Sequence, residues 1–177
     1  VPDVFGIIAK GQWAFYGEHV KFLMDGATGQ IVWTDTTALY QLTQPNALDW
    51  DGDGRDEVFF IHNYDAGFTT VEYQNVFRII DFDANQITSF GGIRPGINFF
   101  STPLIADLDR DSTLEVIYSF PPTTNRWNTL TGALVQRVDL ARFVPDIAWN
   151  GYLGNQQDGY YRASPLLNHD LPALAEI

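Results

Sequence analysis

Residues 48–57, LDWDGDGRDE, place five carboxylates and two glycines in ten positions, and an apolar run, VFF, follows at once. Asp49, Asp51 and Asp53 alternate, Gly54 comes next, and Glu57 closes a D-x-D-x-D-G-x-x-E pattern. Carboxylates crowded in this way repel one another unless a cation sits among them. Hard oxygen donors at such spacing suit Ca²⁺, which takes six to eight oxygens at about 2.3–2.6 Å. Gly54 permits the sharp bend, and the carbonyl of Arg55 in the seventh position supplies a backbone ligand. Asp56 falls outside the alternation and outside this ligand set. An EF-hand would place Glu in the twelfth position between two helices, but that position is Phe60, inside the strand-like run EVFFIHNY. The same Asp and Gly residues also make Asx turns between strands with no ion at all.

The loop has a second copy. PNALDWDGDGRDEVFF from Pro45 matches PLIADLDRDSTLEVIY from Pro103, with Pro, three Asp, Glu and Val recurring 58 residues apart. In that register Arg110 and Ser112 stand where the first copy has Gly52 and Gly54, which predicts a weaker site or a different local turn. Extended outward, the register puts Asp3 of VPDVFGII and Glu176 of SPLLNHDLPALAEI in the place of Glu57, in steps of 54, 58 and 61 residues. In the last copy Asn168 and Asp170 persist while Pro172 and Ala173 replace Asp and Gly, so the expected ion is lost there.

A second pattern alternates with the first. FLMDGATGQIVW (22–33), IIDFDANQITSF (79–90) and WNTLTGALVQRV (127–138) each read as strand, tight turn, strand, with Gly29, Asn85 and Gly132 where positive φ is needed. One strand into the acidic loop, one out and a hairpin make four strands per repeat. Four-stranded antiparallel sheets in tandem are the blades of a β-propeller. The expectation is therefore an all-β chain of about three blades, with repeats at 1–44, 45–102 and 103–162 and the start of another at 163–177. Closed propellers use about four to eight blades, so the simplest reading is a segment of a longer protein.

The loop with its flanking strands resembles the calcium-binding FG-GAP or VCBS repeats of integrin-α-like β-propellers, where D-x-D-G-D-G-x-x-[DE] joins the first two strands of a blade. DGATGQIVW resembles the PQQ-like propeller repeat. The resemblance implies ligands at Asp49, Asp51, Asp53, the carbonyl of Arg55 and Glu57, and in the second copy at Asp107, Asp109, Asp111, the carbonyl of Thr113 and Glu115. A cage that closes its own loop neutralises charge and pins two strands, whereas a catalytic cation needs an open position. The expected role of the calcium is structural.

Composition narrows the remaining classes. The formal net charge is −12 and the ten Lys and Arg residues are scattered, so no basic stripe exists for nucleic acid. No apolar run approaches the ~18 residues of a membrane helix, and VPDVFGIIAK lacks the basic region and cleavage site of a signal peptide. Cysteine is absent, which excludes disulfides and thiolate metal sites without fixing the compartment. His19, His62 and His169 show no metal-ligand spacing, and no G-x-S-x-G elbow occurs. Arg94, Arg126, Arg137, Arg142 and Arg162 form no constellation in sequence, so an enzyme, whether a polysaccharide-active propeller or a quinoprotein, is the lesser reading. The five Trp residues are expected to fill space between sheets rather than to stack sugars. Weak calcium loops stay loaded where calcium is millimolar, which points to an extracellular or cell-surface protein. Its expected role is binding or adhesion toward a protein or glycan; the alternative is a structural subunit that packs against other copies of itself.

Overall fold

The computed structural model describes residues 3–12, 15–38, 43–65, 73–98, 101–121 and 132–142. These residues form strands and turns only, with no helix among them. The first sheet joins β1 (Val4–Gln12), β2 (Phe15–Met24) and β3 (Ile31–Ala38) in chain order. The second joins β4 (Asn46–Leu48), β5 (Glu57–Asp65), β6 (Tyr73–Asp81) and β7 (Gln86–Pro95). The third joins β8 (Leu104–Ala106), β9 (Glu115–Phe120) and β10 (Leu134–Asp139). All neighbours are antiparallel, and the sheets do not close into a barrel.

The strands form where β-branched and aromatic residues cluster, as in EVFFIHNYD and YQNVFRIID. β5 and β6 bury both faces because their sheet lies between the other two. Phe59, Ile61, Phe77 and Ile79 meet Ile105, Val116, Tyr118 and Phe120 on one side. Val58, Phe60 and Ile80 meet Phe5, Trp33 and Phe82 on the other. Phe77 touches Phe59 at 5.4 Å, Phe90 at 5.8 Å and Tyr118 edge-on at 5.4 Å between ring centres, which makes it the hub of the larger core. Buried asparagines tie segments that no ladder joins: Asn46 donates to the Pro103 carbonyl at 3.0 Å, and Asn63 donates to the Asn98 carbonyl at 2.7 Å.

The sheets share one register. Val4 pairs with Met24, Val58 with Ile80 and Val116 with Val138, each pair lying next to the end that carries Asp3, Glu57 or Glu115. The two expected hairpins that lie within the described residues form. β2 turns into β3 through Asp25, whose Oδ1 accepts the N–H groups of Ala27 and Thr28 at 2.8 Å, with Gly29 at φ 70°. β6 turns into β7 with Asp81 accepting from Ala84 and Asn85 at φ 50°.

The expected hairpin at 127–138 falls partly outside the described residues: 127–131 are not described, and of the rest 134–139 form β10, which pairs with β9. Asp139 stands opposite Glu115, while Val138 opposite Val116 matches Ile80 opposite Val58, so β10 occupies the place of β6. The expected repeat from 163 onward, with Asn168, Asp170 and Glu176, lies outside the described residues.

Because Phe77 is wholly buried against aromatic neighbours, Phe77→Ala is expected to cost about 3–5 kcal/mol in urea unfolding. Val135→Ser, at a residue 74% exposed, is expected to change stability by no more than about 0.5 kcal/mol.

Candidate metal centres

Both acidic segments sit at the same place, between the short first strand and the long second strand of a sheet: 49–56 between β4 and β5, and 107–114 between β8 and β9. The chain needs a wide turn here because β4 and β8 have only three residues each to pair. The turn is built from its own carboxylates. Asp49 takes the N–H of Gly52 on Oδ1 at 2.8 Å and that of Gly54 on Oδ2 at 3.1 Å, Asp51 takes the N–H of Asp53, and Asp53 takes that of Arg55. Glu57, at the base, accepts the N–H of Trp50 at 2.6 Å. In the second loop Asp107 accepts from Asp111 and Ser112, Asp111 from the N–H and hydroxyl of Thr113, and Glu115 from Leu108 at 2.6 Å.

These turns gather the carboxylates rather than dispersing them. One oxygen each from Asp49, Asp51 and Asp53 lie within 4.8 Å of one another, and so do oxygens of Asp107, Asp109 and Glu115. Each group can hold a metal ion. Of the expected ligands, Glu57 and Asp111 lie outside these two groups; Glu57 is buried beneath its loop, and Asp111 is exposed with its carboxylate turned to Thr113. Hard carboxylate sets of this kind fit oxygen-seeking divalent cations rather than soft metals.

The backbone of the second loop corrects one expectation. Arg110 has φ 64° and Ser112 φ 72°, in the places of Gly52 at 86° and Gly54 at 90°. The turn is thus kept and the side chains are forced into it, since the carboxylate-to-amide bonds determine the path. Left-handed conformation costs a residue with a Cβ roughly 1–2 kcal/mol, and the second loop bears that cost twice.

Cations from the protein also approach the loops. Arg55 grips Asp83 of the β6–β7 turn through Nη1, 2.6 and 2.5 Å from its two oxygens. At the second loop Arg137 of β10 bonds Asp109, lies 3.3 Å from Glu115 and donates to Asp139 at 3.1 Å. A guanidinium therefore stands on two of the three carboxylates that would hold the second ion. Among the described residues the first loop has no equivalent, and Ile79 occupies the position 58 residues before Arg137. Arg137 was legible only as one more scattered arginine; the β9–β10 register is what brings it to the loop.

Burial, with a smaller push from the Asp51 carboxylate, raises Glu57 to about 7 against the bonding from Trp50. Beside the first loop a cleft of about 740 Å³ opens between β1, β4 and the β6–β7 turn, lined by Asp3, Phe5, Arg55, Asp56, Phe82 and Asp83 among others. No family model, curated protein or solved structure matches the chain.

Three outcomes are expected. Arg110→Gly and Ser112→Gly each stabilise the protein by about 1 kcal/mol in urea unfolding, because glycine adopts the left-handed conformation freely. Arg137→Leu tightens divalent-cation binding at the second loop in calorimetric titration, since Asp109 and Glu115 lose their competing cation. Glu57 has a folded pKa of about 7 against 4.5 unfolded, so its contribution to the stability of the metal-free protein is present below the unfolded value and is lost as pH rises through 7. Glu57→Gln removes that part of the pH dependence, read as the difference between wild-type and variant melts from pH 4.5 to 7.5.

Proposed function

We infer that the chain is part of a calcium-stabilised β-propeller of the FG-GAP/VCBS kind, its sheets being blades, and that it serves outside the cell as a binding or adhesion module. One observation carries the reading. The same acidic loop recurs at the same place in two sheets, each time with three carboxylate oxygens gathered within 4.8 Å. Consecutive antiparallel sheets that share a register, each packed face to face on the next, support the assignment as blades.

Calcium is favoured over magnesium because it accepts many carboxylate oxygens in irregular geometry. Its role is to hold strands together: the loop folds round the ion and offers no substrate a place on it, which is why the proposal is a binding module and not an enzyme. In the proposed setting, millimolar calcium keeps even weak sites filled. The cleft beside the first loop is where a protein or glycan ligand would lie, with Arg55 and Asp83 at its rim.

A second reading, a structural subunit of a fibre or surface layer, has its own support. Val4 and Ile8 on the outer side of β1 are 46% and 57% exposed, and Val135 on β10 is 74% exposed. In that reading other copies of the chain cover these residues.

Chelation is the direct test. EGTA is expected to lower the melting temperature and to open residues 49–57 to proteolysis, with recovery on adding Ca²⁺; an identical melt in EGTA and Ca²⁺ sinks the reading. Asp51→Ala is expected to lower the calcium-loaded melting temperature more than Asp109→Ala, because Arg137 already neutralises part of the second loop.

A further inference from the structure

The interface between the β1–β3 sheet and the β4–β7 sheet is apolar at one end and polar at the other. Near the acidic loop it is filled by Phe5, Trp33, Phe82, Val58, Phe60 and Ile80. Beyond Phe60, strand alternation carries His62 and Tyr64 onto the same face of β5, with Arg78 of β6 opposite Phe60. His62 meets Phe60 edge-on and stacks on Tyr64, both at 6.2 Å between ring centres. From β2, Lys21 reaches across to the Phe60 ring, 5.1 Å from its centre. Leu23 and Val58 line the same cleft and Lys21 reaches Phe60, so strand alternation puts His19, two residues beyond Lys21, on the side of the seam where His62 lies two residues beyond Phe60.

Two cations meet here. Lys21 is buried and bonded to Asp35 at 2.7 Å, and the Asp35 carboxylate also acts on His62 and Arg78. Arg78 is half-buried and donates to the Ser89 hydroxyl at 3.2 Å, with no ion-pair partner among the described residues. The chain has ten Lys and Arg residues and a net charge of −12, yet Lys21 and Arg78 both lie at this one inter-sheet seam.

The same seam has unused hydrogen-bonding groups. Both ring nitrogens of His19, Nδ1 of His62 and the hydroxyl of Tyr64 are buried and have no hydrogen-bond partner among the described residues. His19 and His62 are 0% and 6% exposed. Leaving such groups unsatisfied destabilises a fold, and buried polar groups in folded proteins are nearly always satisfied by protein, water or a ligand. Burial and then the field of Arg78 and Lys21 hold His62 at about 4; burial and then Lys21 lower His19 as well. Both rings are neutral at pH 7, and each keeps one N–H to donate. A metal cation would meet Lys21 and Arg78, whereas N–H and O–H donors in a positive field fit an anion.

We propose that this seam binds one small monovalent anion, chloride or a short carboxylate, held by His19, His62 and Tyr64 and charge-balanced by Arg78. The ion completes the contact between the two sheets, and the site is independent of the calcium loops. An occupied site also has a simple consequence: the anion stabilises the folded chain by mass action.

The test uses the calcium-loaded protein at fixed sodium concentration and ionic strength, with gluconate exchanged stepwise for chloride in one series and for formate in another. A saturable rise in melting temperature is expected, absent in Arg78→Gln and in His62→Leu. The ³⁵Cl line is expected to broaden in the presence of wild-type protein and to sharpen when Arg78 is replaced by Gln. Saturation with formate and not chloride assigns the site to carboxylates. Melting temperatures that are flat or drift without saturation in both series, with no excess ³⁵Cl line width, overturn the proposal. The wild-type measurements alone decide the matter should either variant fail to fold.

Discussion

Mutual repulsion of carboxylates in two tight loops is the constraint on which the rest of the structure depends. β4 and β8 offer three paired residues each, too few to hold so short a strand against the entropy of closing the loop that follows. The loops fold back on themselves because Asp49 and Asp107 collect backbone N–H groups, and that folding drives their neighbours' charges together. A divalent cation held there would turn this repulsion into the attachment of the first strand to the second. Burial raises Glu57 to about 7, so in the metal-free protein its carboxylate costs stability as it ionises.

The two loops meet the constraint differently. The first relies on glycine for its left-handed residues and leaves its three clustered aspartates to an ion. The second forces Arg110 and Ser112 into the same conformation and sets Arg137 over Asp109 and Glu115. A guanidinium on a pair of carboxylates supplies some of the neutralisation that calcium would provide, without calcium's coordination number. The second loop is thus partly self-neutralised, and the first is the one for which an ion matters more. The seams between sheets differ in a parallel way. That around Phe77 and Tyr118 is dominated by aromatic contact, while that around Lys21 and His62 mixes aromatic packing with buried charge.

Much of this was legible in the sequence because it is local. The loop pattern, the alternation in EVFFIHNYD and the turns at Gly29 and Asn85 are properties of consecutive residues, and the structure has strands and turns there. At 134–139 the alternating run specifies a strand but not which neighbour it takes, and the pairing of Val138 with Val116 fixes that. Side chains brought in by pairing were invisible. Arg137 on Asp109 and Lys21 beside Phe60 depend on register and on the packing of one sheet against the next, which no short stretch encodes. The conformation of Ser112 was hidden for another reason, since a hydroxyl residue in a glycine position suggests a changed turn unless the carboxylate bonding that enforces the old one is known.

The central claim is that the acidic loops are cation sites that hold strand to strand. Calorimetric titration of the metal-free protein with Ca²⁺ tests it most directly. The account predicts saturable binding in which Asp51→Asn removes the tighter phase and Asp109→Asn the weaker one, each without loss of the all-β circular dichroism signal. Titration heats indistinguishable from dilution, or binding unchanged by both substitutions, would contradict it.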